Sequence, residues 1–225
     1  MNMQDMETGL AKRPGMRERQ RLETRAQIIE SAISLFASQG FDGTTLLSIS
    51  VNCGVPVPLM IYHFKSKELL WRAAVDAVYA RVDAYLESQQ ADIISATGPQ
   101  FYRRCARAHV SALARYPEYM RILFQEGTHE SDRLAWLVET HQSRISAMLK
   151  AIVARAQGEG LVPAMDLDDA KFIFSGAFSL AIVLAPEYKI ATGKDSRSDV
   201  FIDRHVDACL SLLLPGIDWS APEHR

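Results

Sequence analysis

Apolar residues recur with the period of an α-helix along almost the whole chain, and no stretch alternates apolar and polar residues for long enough to predict a β-strand. The pattern therefore predicts an all-α protein. Glycine, proline and polar capping residues separate the apolar stripes. The predicted helices cover about residues 23–40, 45–53, 56–64, 66 to at least 85, 100–115, 131–156, 166–185 and 199–214, with a short helix starting at residue 117.

A short helix, a sharp turn and a second short helix follow one another between residues 45 and 64. Gly54 permits the turn, because glycine adopts backbone conformations that other residues avoid. Ser66 then offers an N-cap for the next helix. This spacing predicts a helix-turn-helix, a unit whose second helix enters the major groove of DNA.

The predicted organisation has three parts. Residues 1–22 are polar and charged and are expected to form a flexible basic arm. Residues 23–72 form the helix-turn-helix domain, and residues 73–225 form a larger helical body. The long helix that begins near residue 66 links the two domains.

Charge is distributed unevenly between these parts. The chain has a formal net charge of −2, but residues 12–72 hold nine Lys and Arg against five Asp and Glu, so the rest of the chain carries −6. A basic front on an acidic body suits a phosphate-facing module attached to a domain with another task. The composition, 48% hydrophobic, can fill a sizeable core.

Cysteine spacing and hydropathy bear on location. The three cysteines lie far apart and show no metal-ligand spacing, which favours a reducing cytoplasm. The most apolar run, residues 172–186, is shorter than the roughly 18–20 residues that a membrane span needs. The sequence therefore predicts a cytoplasmic protein with no membrane segment.

The front of the chain resembles the tetracycline-repressor (TetR) family of bacterial transcriptional regulators over about residues 20–75. The residues that carry the resemblance are Arg25, Ile28, Ala32, Leu35, Phe36, Gly40, Phe41, Thr44, Thr45, Ile49, Gly54, Val55, His63, Phe64, Ser66, Lys67, Glu68 and Leu70. The resemblance implies a homodimer with two three-helix DNA-binding heads. It also implies that residues 73–225 are a ligand-binding and dimerisation domain.

The expected function is that of a ligand-responsive regulator, a repressor that binds palindromic operator DNA as a dimer. Effector in the body is expected to move the linking helix, change the separation of the heads and release the operator. The candidates for DNA contact are Arg17, Arg21, Arg25, Thr44, Thr45, Val57, Met60, Tyr62, His63, Lys65 and Lys67.

The recognition helix departs from the family pattern. No side chain between residues 55 and 61 offers a conventional hydrogen bond, since the run reads Val-Pro-Val-Pro-Leu-Met-Ile. Such a helix can contact thymine methyl groups and respond to DNA shape, but it reads few donor and acceptor patterns. Discrimination is therefore expected to depend on Tyr62, His63, Lys65 and the basic arm.

Aromatic and polar side chains of the body are candidates for an effector pocket, because pockets are mostly apolar with a few directed polar groups. No apolar face carries a strong excess of one charge, so a small hydrophobic or amphipathic effector is expected. An aromatic stripe at helical spacing is also typical of a core, and that alternative stands for each residue singly. The candidates are Tyr102, Cys105, His109, Tyr119, Phe124, Trp136, Thr140, His141 and Phe178.

Two late apolar helices with coiled-coil-like spacing predict a four-helix dimer interface, and the alternative is a core within one chain. A two-fold dimer would present two heads to a palindromic operator. The interface candidates are Phe172, Gly176, Leu180, Ile202, Val206, Cys209 and Leu213.

Two other classes of function fit the sequence less well. An enzyme is disfavoured, since the sequence has no HExxH motif and no Gly-rich phosphate loop, and we predict no catalytic residue, no metal and no cofactor. The second is a dimeric helical module that senses a ligand or binds a partner and no longer reads DNA. The apolar recognition helix is the feature that favours it.

Overall fold

The computed structural model describes residues 15–215, 217 and 219. Within these residues the chain is all helix and turn, which confirms the predicted all-α class. The helices are α1 Met16–Gly43, α2 Leu46–Cys53, α3 Val57–Phe64, α4 Lys67–Ser95, α5 Pro99–Arg115, α6 Pro117–Glu126, α7 Asp132–Leu137, α8 Ser143–Gly158, α9 Leu167–Val183, α10 Ala185–Thr192 and α11 Asp199–Leu213. A π-helical turn, Val138–Gln142, joins α7 to α8.

Helices α1 to α3 form a head whose turns follow from a few residues. The side chain of Thr45 accepts a hydrogen bond from the Ser48 amide, and the Ser48 hydroxyl accepts one from the Thr45 amide, so a capping box starts α2. Gly54 ends α2 in the left-handed conformation, with φ of 70°. The axes of α2 and α3 consequently cross at 109°. The predicted helix-turn-helix is present.

Head and body share one hydrophobic core. The first turns of α4 pack on α1 through Leu70 and Trp71, and its later turns pack on α5 and α6. Helix α6 belongs to the body, yet it also packs on α1 of the head. Helix α5 contacts α4, α6, α9 and α11, so it lies at the centre of the body. The division of the chain near residue 72 stays a prediction.

Three sequence expectations need correction. Helix α1 begins at Met16, so residues 16–22 are helical where a flexible arm was expected; Glu18 and Arg21 pair there one turn apart. Residues 1–14 of the arm lie outside the described residues. The helix expected over residues 131–156 contains the π-helical turn. The helix expected to reach residue 185 ends at Val183, and Pro186 lies in the first turn of a separate short helix, α10, where its missing amide is tolerated.

Among the described residues, no single helix has both the length and the apolar character to cross a membrane. The bent pair formed by α2 and α3 would qualify by length and composition alone.

Candidate DNA-binding surface and ligand cavity

The outward face of α3 is apolar with one hydroxyl group. Successive helical residues are about 100° apart around the axis, so Pro58, Leu59 and Tyr62 share one side of α3. All three are exposed, Leu59 by 40% and Tyr62 by 63%. Ile61, with 38% exposure, and half-buried His63 flank this face on either side.

Two residues predicted to contact DNA are buried in the head instead. Met60 is 1% exposed because it points from α3 into the core of the head. Thr44 is fully buried, and its hydroxyl donates to the Gly40 carbonyl (2.7 Å). The structure therefore removes both from the DNA-facing surface. Val57 is half-buried at the start of α3, and Thr45 is exposed with its hydroxyl engaged in the cap of α2.

Basic side chains from α1 lie beside the exposed end of α3. The guanidinium of Arg25 lies 5.1 Å from the centre of the Phe64 ring, and Arg21 forms an ion pair with Glu18 (2.7 Å). Burial lowers the pKa of His63, and the charges of Arg21 and Arg25 lower it further. His63 is therefore neutral at pH 7 and can give and accept one hydrogen bond each. Exposed Arg17 lies one turn before Arg21 on α1.

The two predicted lysines flank the junction between α3 and α4. Lys65 has φ of 66°, and its ammonium donates to the Tyr62 carbonyl (3.1 Å). Lys67 lies over the ring of Phe41, with Nζ 4.2 Å from the ring centre. Both are close to the N-terminus of α4, whose free amides favour an anion such as a phosphate.

The body contains a cavity of about 1140 Å³. Its wall is mostly apolar and is built by α4, α5, α6, α8 and α9, with contributions from α7 and α11. Six of the nine residues predicted for an effector pocket line it. They are Tyr102, Cys105, His109, Tyr119, Phe124 and Phe178.

The other three predicted pocket residues lie outside the lining. Trp136 packs on Trp71 with ring centres 5.5 Å apart, and His141 Nε2 lies 2.9 Å from the carboxylate of Asp76. Thr140 is exposed. For Thr140 and His141 the π-helical turn is the physical reason, because its wider winding changes which residues of this segment face inward.

Gln142, which sequence reasoning missed, faces the cavity at the end of this turn. Its amide donates to the hydroxyl groups of Tyr79 (2.6 Å) and Tyr119 (3.4 Å). Burial raises the pKa of both phenols. In the sequence, Gln142 is a polar residue in a helical segment, and nothing in the pattern distinguishes it from a glutamine on the surface.

The polar groups inside the cavity are neutral at pH 7. Burial lowers the pKa of His109 to about 4, and among the described residues its imidazole has no hydrogen-bonding partner. Burial raises the pKa of the Cys105 thiol to about 11. Burial, followed by the hydrogen bond to Glu159, raises the pKa of Tyr102 to about 12.

Charged groups lie where the cavity meets the surface. Arg144 pairs with Asp83, and Glu87 lines the cavity from an exposed position on α4. The ammonium of Lys171 lies 3.9 Å from the centre of the Phe172 ring, and burial lowers its pKa. We refer to Asp83, Glu87, Arg144 and Lys171 as the charged rim.

Helix α6 touches both the cavity and the head. Tyr119, Met120, Leu123 and Phe124 line the cavity. At the end of the same helix, the amide of Gln125 donates to the Ala37 carbonyl of α1 (3.2 Å). This helix therefore offers a direct mechanical link from cavity to head.

The same junction holds a buried ion pair. Glu126 is 7% exposed and accepts from Arg133 Nε (3.1 Å), and the Arg133 guanidinium lies 3.9 Å from the centre of the Phe41 ring. Burial raises the pKa of Glu126, and Arg133 opposes that shift. Phe41 of the head is thus in contact with cations from α4 and α7.

The predicted dimer residues fall into two groups. Ile202, Val206 and Cys209 are buried within the chain, because α11 packs on α5 and α9 and is held to α5 by two ion pairs. The structure therefore removes these three from a contact with a partner. The remaining four are at least partly exposed: Phe172, Gly176, Leu180 and Leu213. Phe172 and Gly176 also line the cavity.

A helix-turn-helix head with basic side chains, carried on a helical body, defines the class of DNA-binding transcriptional regulators. The sequence model of bacterial regulatory proteins of the tetR family matches residues 28–74, the head. This match identifies residues 28–74 as similar to the DNA-binding domain of the tetR family, and the chain is a DNA-binding regulator.

Relatives extend the similarity beyond the head. The transcriptional regulator RutR of Escherichia coli K12 is 23% identical over 212 residues, covering 94% of this chain and 99% of RutR. The transcriptional repressor NicS of Pseudomonas putida is 26% identical over 152 residues, covering 67% of this chain and 71% of NicS. These relatives are regulators rather than enzymes, as expected.

The fold is shared with solved structures. The transcriptional regulator FadR of Bacillus subtilis, in complex with stearoyl-CoA, superimposes with a TM-score of 0.62 at 18% identity, covering 86% of this chain and 99% of FadR.

Proposed function

We propose that this regulator is a cytoplasmic repressor that binds a palindromic operator as a homodimer and is released by an amphipathic effector. The observation that carries the proposal is the cavity of about 1140 Å³, one wall of which, α6, also contacts the head. Ligand cavities of known proteins are commonly about 300–1,000 Å³ and mostly apolar with a few directed polar groups. The similarity to a protein named as a repressor supports the direction of regulation.

The cavity chemistry indicates an effector with a large apolar part. Inside the cavity the polar groups are neutral, and a buried ion without a counter-charge is strongly disfavoured. His109 has a free donor and a free acceptor, so it suits an uncharged oxygen of the effector. Any charged part of the effector belongs at the charged rim.

An acyl thioester is a more specific candidate for the effector. Arg144 and Lys171 of the charged rim offer cations to phosphate groups at the surface, while an acyl chain fills the apolar interior. The fold neighbour FadR binds stearoyl-CoA, a molecule of this form.

Release requires that an occupied cavity alters the head. The route runs through α6, since the effector contacts Leu123 and Phe124 while Gln125 holds α1. Movement of α6 also alters α4, which packs on it. A coupling of about 1–3 kcal/mol changes operator affinity roughly 5- to 150-fold, which is sufficient for a switch.

The dimer uses the exposed apolar side chains of α9 and α11. Other apolar side chains are exposed beside Phe172 and Leu180. They are Ile173 on α9, Leu184 directly after α9 and Leu212 on α11. Exposed apolar side chains clustered on two neighbouring helices are typical of a subunit interface. A two-fold axis between these helices would set the two heads on successive half-sites of a palindrome.

The first test compares DNA duplexes. Affinity of the full-length protein for a duplex from upstream of its own gene is measured against a scrambled duplex across a salt series. We expect tighter binding to the upstream duplex with a steep salt slope, because several phosphates are neutralised. Equal weak binding to both duplexes by an intact dimer would favour a ligand-sensing module that no longer reads DNA.

The second test identifies the effector class by thermal unfolding. Stearoyl-CoA, palmitate, dodecanol and coenzyme A alone are compared on the wild type and on Leu149→Trp, a substitution that fills cavity space. A ligand at 100 times its Kd stabilises by about 2.7 kcal/mol and raises Tm accordingly. We expect the increase for a long-chain ligand in the wild type and its loss in Leu149→Trp. Equal shifts in both proteins would place the ligand outside the cavity.

A further inference from the structure

The outward face of α3 differs from most base-reading surfaces in what it offers a base edge. Leu59 and Pro58 present only carbon, and Ile61 beside them is also exposed. The Tyr62 hydroxyl is the one polar side-chain group on that side of the helix. A helix of this composition in the major groove contacts bases mainly through apolar surface.

The major groove offers one apolar group to such a surface. Each base pair presents hydrogen-bond donors and acceptors there, and the A·T pair adds the C5 methyl group of thymine. Leucine and proline cannot satisfy the polar edges of the other bases, so an unpaired donor or acceptor beneath them is unfavourable. A thymine methyl is the complementary partner.

The face is also held rigidly. Met60 and Phe64 anchor α3 in the core of the head, and Pro58 has a fixed φ in the first turn. The Arg25 guanidinium covers the Phe64 ring on the α1 side. Leu59 therefore reaches the groove from a fixed position, and the nearby cations of α1 can set the register on the phosphates.

We propose that each operator half-site is recognised mainly through thymine C5 methyl groups that pack against Leu59 and Pro58, with the Tyr62 hydroxyl adding a hydrogen bond. The inference rests on the proposed operator binding and specifies what that binding reads. It predicts half-sites in which thymine is required at the positions under α3.

The test removes only the methyl group from the DNA. Full-length protein selects duplexes from a random-sequence library, and the preferred duplex is resynthesised with deoxyuridine for thymidine, one half-site position at a time. We expect a loss of about fourfold in affinity for each contacted methyl, the equilibrium factor for burying one CH₂-sized group. The control duplex carries the same number of deoxyuridines outside the protected half-sites and should bind unchanged.

A variant identifies the protein side of the contact. Leu59→Ala should bind thymidine and deoxyuridine duplexes alike at the position under Leu59, while Ile190→Ala, an exposed apolar substitution on α10, should keep the wild-type ratio. An effect of deoxyuridine on DNA shape alone would persist in Leu59→Ala and would overturn the inference. A selected duplex that tolerates deoxyuridine at every position would also overturn it, with the regulator function left standing. Failure to select any duplex would overturn both.

Discussion

The half-buried imidazole of His109, in the cavity wall, predicts a specific loss of stability in acid. Burial lowers its pKa from the ordinary value of 6.5 to about 4, because the charged form is poorly solvated in the cavity wall. Between these two pKa values the unfolded chain binds a proton that the folded chain excludes. The stability contributed by neutral His109 is therefore complete above about pH 6.5 and declines as the pH falls toward 4.

The size of the effect follows from the two pKa values. At pH 5 the unfolded chain is almost fully protonated at this site and the folded chain is mostly neutral, which corresponds to about 2 kcal/mol of lost unfolding free energy. Substitution with glutamine, which stays neutral and polar, should remove this contribution. Every other titrating group remains in both proteins.

Urea unfolding at pH 7 and pH 5 measures the difference directly. The wild type should lose about 2 kcal/mol more than His109→Gln between the two pH values. An equal loss in both proteins would refute the inference that His109 is held neutral in the cavity wall. A bound effector that donates to His109 should enlarge the gap, since it stabilises the neutral form.

Two further substitutions test the head. Gly54→Ala should lower the free energy of unfolding by about 1–2 kcal/mol, because φ of 70° is unfavourable for a residue with a Cβ. The control, Gly158→Ala, has equal space and no positive φ, so it should be neutral or slightly stabilising. Urea unfolding measures both values. Lys67→Ala should weaken operator binding and reduce the slope of log affinity against log salt by about 1, while Lys189→Ala on exposed α10 should leave the slope unchanged. A wild-type slope for Lys67→Ala would exclude a phosphate contact.

The head could be predicted closely from the sequence, but the orientation of individual side chains could not. Gly54 and the cap at Ser66 are local signals, and the structure uses both. Met60 was predicted to contact DNA, yet every residue from Val55 to Ile61 is apolar. In such a helix the period does not distinguish the core-facing residue from its exposed neighbour Leu59.

The body was harder to predict because its signals are ambiguous. An apolar stripe such as Ile202 and Val206 has the same spacing whether it packs within one chain or on a partner, and here α5 and α9 cover it. His141 was misplaced because a π-helical turn has no clear sequence signature. Tyr102, Cys105 and His109, which were predicted for the pocket, line the cavity together, since α5 is a regular helix.

The central claim is that effector binding in the cavity weakens the binding of the operator. Reciprocal linkage between the two ligands tests it most directly. The affinity of the identified effector is measured by calorimetry for the free protein and for the protein saturated with its selected duplex. If the effector weakens operator binding by a given factor, the operator must weaken effector binding by the same factor, which we expect to be about 5- to 150-fold. Equal effector affinity in the two measurements would contradict the account.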